Sequence, residues 1–119
     1  MSIDRITKLG NINISQEAIA TLAGGVVTEC YGVVGMASQK VLKDGIAELL
    51  KKENYSKGVV VRKSEAGFEI DLYIVISFGV RISEVVTEVQ KKVKYILEKT
   101  LEQEFVSINV YVQGVRVVA

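Results

Sequence analysis

Cys30 is the strongest nucleophile in this 119-residue chain, and it stands without the partners that make a thiol reactive. There is no histidine to take its proton, and no second cysteine for a disulfide, a redox pair or a zinc site. Carboxylates come next. Glu69 and Asp71 fall on one side of a strand, and Glu84 and Glu88 share one helical face. Acids near a strand start, flanked by Lys63 and Glu65, read as a solvated edge rather than an acid–base pair, and the helical pair reads the same way. No glycine pattern ends in the Lys-Ser/Thr of a phosphate loop. The expectation is no catalytic residue, no metal ligands and no cofactor: the chain is not an enzyme.

A second chemistry is binding to single-stranded nucleic acid. Gly32-Val33-Val34-Gly35 lies between two expected helices, with a strand before them and two strands and a helix after. That order resembles the K-homology RNA-binding module, whose GXXG loop clamps a strand's backbone. Lys40 and Lys43 follow inside a basic stretch, residues 40–63, where Lys40, Lys43, Lys51, Lys52, Lys57, Arg62 and Lys63 face Asp44, Glu48 and Glu53. Against it, Val33 and Val34 stand where such loops carry a cation, and a net charge of +1 is not that of a polyanion binder. Nucleic acid is therefore the alternative reading, with Gly32, Gly35, Lys40 and Lys43 as its contacts. A tight apolar turn is the preferred one.

The elements that position these residues follow from periodicity. GFEIDLYIVISFG alternates Phe68, Ile70, Leu72, Ile74, Ile76 and Phe78 on one side with Glu69, Asp71, Tyr73, Val75 and Ser77 on the other, a long strand. GVVVRKS at 58–64 precedes it as the other arm of a β-hairpin. A helix then buries Ile82, Val85, Val86, Val89, Val93, Ile96, Leu97 and Leu101, with Ser83 as its cap, and runs to about Gln103. Upstream, GNINIS is a short strand and Ser15 caps a helix carrying Ile19, Leu22, Ala23, Val26, Val27 and Cys30. Gly24 and Gly25 interrupt that helix and read as a close-packing site. Residues 38–53 read as a further helix, with Val41, Leu42, Ile46, Leu49 and Leu50 on one face. The final strand alternates Ile108, Val110 and Val112, then flips parity to Val115 and Val117 after Gly114, the mark of a β-bulge or of a strand leaving the sheet.

The expected fold is α+β: a two-layer sandwich with a mainly antiparallel sheet, in the order β-α-(helical insertion)-β-β-α-β. It forms one domain over 1–119, with 1–8 as a loose lead-in. The sheet's second face is too apolar for open solvent, with Val60, Tyr73, Val75 and Tyr111 on it. Either the Lys-rich helix 38–53 covers it or it builds a homo-oligomer. That helix is cationic and amphipathic like an interfacial one, but it is short and lacks Trp and Phe, so packing is favoured over direct membrane insertion. With no secretory signal and no apolar run of about 20 residues, the expected location is the cytoplasm.

GNINIS, ECYGVVGM, GVVVRKSEAGFEIDLYIVISFGVRISEV and INVYVQGVRV together resemble the alkaline shock protein family, envelope stress response proteins of Gram-positive bacteria. The likeness covers about residues 8–118. It implies a non-enzymatic protein of cell-envelope homeostasis that self-associates and sits at the inner membrane surface through a membrane-anchored partner. The family's resemblance brings no catalytic or ligand residues with it. The surfaces we expect to carry interaction are the second sheet face (Tyr73, Val75, Tyr111) and the end strand (Val115, Arg116, Val117), whose edge can add a strand.

Overall fold

The computed structural model describes residues 2–7, 10–41, 47–50 and 52–117. Its elements run β1 (Ser2–Thr7), β2 (Gly10–Ser15), α1 (Gln16–Thr28), β3 (Val33–Val41), β4 (Ala47–Leu49), a 3-10 helix (Lys52–Gly58), β5 (Val59–Ser64), β6 (Gly67–Ser77), α2 (Ile82–Leu101) and β7 (Phe105–Arg116).

β6 is the spine of the sheet. Along one edge it pairs antiparallel, first with β5 from Gly67 to Leu72 and then with β3 from Ile74 to Ile76. Along the other edge it pairs in parallel with β7 from Phe68 to Ser77. β3 leaves the pairing after Met36 and β5 takes its place at Val59. The handover needs a residue without a side chain: a Cβ on Gly58 would lie 2.7 Å from the Ala37 carbonyl oxygen. β4 pairs antiparallel with β3, and the Leu50 N–H donates to the Met36 carbonyl at 2.9 Å. β1 and β2 form a separate antiparallel pair.

The alternation read from the sequence builds the core. Phe68, Ile70, Leu72, Ile74 and Ile76 are buried on one face, with Phe105 and Ile108 of β7 beside them. Ile19, Ala23, Val26 and Val27 of α1 and Val85, Val89, Val93 and Leu97 of α2 pack into the same cluster. Each buried Val, Leu, Ile or Phe side chain contributes roughly 1.5–3 kcal/mol, so the α2 stripe outweighs any propensity term in holding that helix down. α2 ends on Glu102 in a left-handed conformation (φ 53°). One turn earlier, the Glu98 carboxylate accepts the Phe105 N–H at 2.9 Å, which ties the helix end to the start of β7.

The α+β class, with two helices on a mainly antiparallel sheet, is as expected. Several details differ. Residues 1–8, expected as a loose lead-in, contain β1. The expected helix 38–53 is absent over its described residues, which are the end of β3, β4 and the 3-10 helix; Leu42 to Ile46 and Lys51 lie outside the described residues. Short apolar runs carry helix and strand signals alike, and the Ala37–Leu49 pairing decides for strand. α2 begins one residue earlier than its expected cap: Arg81, not Ser83, is the N-cap, with no side-chain capping bond.

Candidate functional site

The sheet face turned away from the helices has a polar half and an apolar half. In the polar half, Asp71 is only 4% exposed. Its Oδ1 accepts from Arg62 Nη2 at 3.0 Å and from Asn109 Nδ2 at 2.9 Å, so one carboxylate binds β5, β6 and β7 together. Ser107 Oγ donates to Asn109 Oδ1 at 3.1 Å, and Glu69 stands 3.9 Å from Arg62 Nε. The expected solvated edge therefore fails for Asp71. The register places Arg62 against Glu69, diagonal to Asp71, and a buried carboxylate is held by its hydrogen-bonded cation.

In the apolar half, Tyr73 and Tyr111 stack with centroids 5.0 Å apart. Burial pushes the Tyr73 phenol above its ordinary 10.0, Asp71 and Tyr111 add to the rise, and Arg62 opposes it. Val75 is fully buried against Ala37, with Val34 and Tyr73 packed on the pair. Gln113 of β7 donates to the Ser38 carbonyl at 3.4 Å. Since β7 lies across β6 from the paired part of β3, the backbone of β3 beyond Met36 crosses this face. The expected cover exists, but as a strand rather than a helix, and it removes Val75 from the surface.

Five large apolar side chains are exposed together at the end of the sheet where β6 and β7 finish. Tyr31 (83% exposed), Phe78 (71%), Ile82 (51%), Val115 (49%) and Val117 (81%) occupy the turns and strand ends there. The Phe78 N–H donates to the Arg116 carbonyl at 2.8 Å, and the Ser77 N–H to the Gly32 carbonyl at 2.8 Å, which draws three segments into one rim. Gly32 holds its turn at φ +86°, where a Cβ would lie 2.7 Å from Val85. Phe78 and Ile82 were expected in the core. The turn at Gly79 (φ +91°) ends the strand at Ser77 and swings both outward. Tyr31, Phe78 and Ile82 are the surface residues that sequence reasoning missed, and the Phe-Gly step at 78–79 was the available signal.

Both edges flanking β6 carry side-chain caps. Gln16 Nε2 donates to the Val61 carbonyl of β5 at 2.9 Å, and Gln90 Nε2 to the Ile108 carbonyl of β7 at 2.9 Å. Beyond Ile108, among the described residues, no strand pairs with the outer edge of β7. The register shift at Gln113, between the Ile74–Val112 and Val75–Gly114 pairs, is the bulge expected from the parity flip.

Of the expected interaction residues, Tyr111, Val115, Arg116 and Val117 are exposed, Tyr73 is half-buried, and Val75 is inaccessible. The residues named for nucleic acid do not form a loop between helices. Gly32 is in a turn, while Val33 to Gly35 and Lys40 lie in β3; Lys43 falls outside the described residues. Cys30 is buried, its thiol donates to the Val26 carbonyl at 3.5 Å, and burial raises it above its ordinary 9.0. Beside α1, a cavity of about 570 Å³ is lined by Thr21, Gly25, Thr28, Val34 and Tyr55 among others. Among the described residues no cluster of three or more acidic or cysteine side chains could hold a metal ion, and no helix is long and apolar enough to cross a membrane.

The elements thus define an α+β two-layer domain with an apolar rim and one half-open strand edge. The chain belongs to the alkaline shock protein family, described by its cell envelope-related function: the family's model matches residues 4–117. It is 53% identical over 117 residues to YloU of Bacillus subtilis, covering 98% of each chain. It is 48% identical to a protein of Streptococcus pyogenes, over 99% of this chain and 98% of that one. YqhY of Bacillus subtilis is 33% identical, over 92% of this chain and 80% of its own length. Among solved structures, the manganese form of a MamM CTD variant aligns at 12% identity with a TM-score of 0.49, over 87% of this chain and all of that one, a likeness too distant to bear on function.

Proposed function

We propose that this chain is a non-enzymatic interaction module of the cell envelope, which self-associates and docks on a membrane-linked protein at the inner membrane surface. The observation that carries this reading is the rim of Tyr31, Phe78, Ile82, Val115 and Val117, five large apolar side chains exposed at one end of a sheet whose core is otherwise well filled. Large apolar groups gathered on a surface mark contact sites more often than chance exposure does. The family's cell envelope-related function supports an envelope setting for such contacts. With Val33 to Gly35 paired in β3 rather than held in a loop between helices, the GVVG geometry does not favour nucleic acid.

The test is co-flotation with three kinds of vesicle: native membranes of the producing cell, the same membranes stripped by protease, and protein-free anionic liposomes. Binding to the first alone supports docking on a membrane protein. Flotation with the liposomes contradicts it, and so does loss of binding to all three. Phe78→Ser, at the centre of the rim, should weaken the native binding.

A further inference from the structure

The backbone of β7 has a direction that can be read bond by bond. The Ile108 carbonyl accepts from Gln90, so Ile108 points its main-chain groups away from β6. The Arg116 carbonyl accepts from Phe78 at the end of β6, so Arg116 points toward it. Alternation between these anchors turns Val110 and Val112 outward. The bulge at Gln113 then flips the phase, leaving Gly114 and Arg116 inward and Val115 and Val117 outward. The side chains sort equally cleanly. Tyr111 and Arg116 register with Tyr73 and Ser77 on the second face, whereas Val112 and Val115 register with Ile74 and Ile76 on the core face.

Native sheets protect such edges with charges, prolines or covering groups. β5 has Arg62, Lys63 and the Gln16 cap. β7 is covered at Ile108 by Gln90 and then runs Val110, Tyr111, Val112, Gln113, Gly114, Val115 with no charge before Arg116. We infer that the segment from Val110 to Val117 is a strand-addition edge whose occupant is the same segment of a second copy, antiparallel across a two-fold axis between Gln113 and Gly114. The inference rests on the self-association proposed above and specifies its geometry.

The occupant is argued from complementarity. The Gln90 cap blocks pairing at Ile108, so the register that uses the outward main-chain groups of Val110, Val112, Val115 and Val117 sets Val110 against the second copy's Val117 and Val112 against its Val115. In both pairs the main-chain groups of both partners point at each other, as antiparallel hydrogen-bonded pairs require. A shift of one residue would face an outward residue with an inward one, so the bulge itself selects the register. On the core face valine meets valine. On the second face Tyr111 meets the second copy's Arg116, a cation against an aromatic ring, twice over by symmetry. No like charges meet. Eight residues a side is well below the roughly 20–30 of a stable interface, so the pairing is weak and concentration-dependent.

The test uses cysteine cross-linking in the full chain on a Cys30→Ala background, under mild oxidation. Tyr111→Cys and Arg116→Cys, mixed, should form a disulfide-linked heterodimer, while each alone should form no disulfide-linked dimer. A homodimer of Tyr111→Cys alone means parallel strands or an antiparallel pairing centred on residue 111, and either overturns the register. In parallel, Val112→Pro and Val115→Pro remove outward N–H groups that the native sheet does not use, so both should fold as wild type and lose the dimer. Should the wild-type chain self-associate and both proline variants do so equally, the edge is refuted while self-association stands. A wild-type chain that is monomeric at every concentration refutes both, and leaves the edge to a strand of another protein.

Discussion

Gly24 and Gly25 are neighbours in the same helix, and the structure assigns them opposite fates on substitution by alanine. Glycine in a helix interior costs about 0.8–1.0 kcal/mol relative to alanine, so either change begins with that gain. A Cβ on Gly25 would meet nothing within 4 Å, because the residue faces the open cavity beside α1. The gain is then kept whole: about 1 kcal/mol, or a rise in Tm of roughly 4 °C for a chain of this size. A Cβ on Gly24 would lie 2.9 Å from Tyr55 Cβ, an atom next to the backbone that cannot swing aside. Forcing the 3-10 helix away from α1 costs about 1–3 kcal/mol, which cancels the gain and leaves a net loss of about 1 kcal/mol. Urea melts of the two variants, with equal slopes confirming that only stability has changed, should separate their midpoints by about 2 kcal/mol of stability. Equal stabilisation by both would refute the close approach of α1 to Tyr55. Destabilisation by Gly25→Ala would refute the open cavity.

The buried carboxylate supplies a second ordering. Arg62→Ala leaves Asp71 charged and buried without its cation and should cost about 2–3 kcal/mol in a urea melt, whereas Asp71→Asn keeps the shape and removes the charge at a cost of about 1 kcal/mol; the reverse order would contradict the network. Tyr73 sets a pH dependence: above about pH 10 the unfolded chain gives up this phenolic proton before the folded one, so the folded state holds more protons and stability falls as pH rises. Tyr73→Phe should show a shallower fall over that window, and an unchanged slope would mean that Tyr73 is not held as a phenol.

What was legible in the sequence is what strict periodicity encodes. The β5–β6 hairpin and the α2 stripe repeat their pattern over many residues, and packing on one side leaves such patterns little ambiguity. The β7 bulge was legible too, since a parity flip across Gly114 has few other physical meanings. Residues 33–53 were not. Their apolar runs are short, and the choice between helix and strand came from long-range pairing of Met36 and Ala37 with β4 and β6. The same limit hid the site. Burial of Asp71 depends on Asn109, 38 residues away, and exposure of Phe78 on a turn that breaks the alternation placing it in the core. The edge of β7 could be named from sequence as a pairing surface. Which of its bonds are open depends on Gln90, whose reach to Ile108 no local pattern shows.

Sedimentation velocity of the purified chain, over a concentration series at low salt with a labelled single-stranded RNA pool present, tests the central claim most directly. The account predicts a species heavier than the monomer that grows with protein concentration, while the RNA sediments free. A chain that stays monomeric and carries the RNA with it would contradict the interaction-module reading and return the basic stretch from Lys40 to Lys63 to the centre.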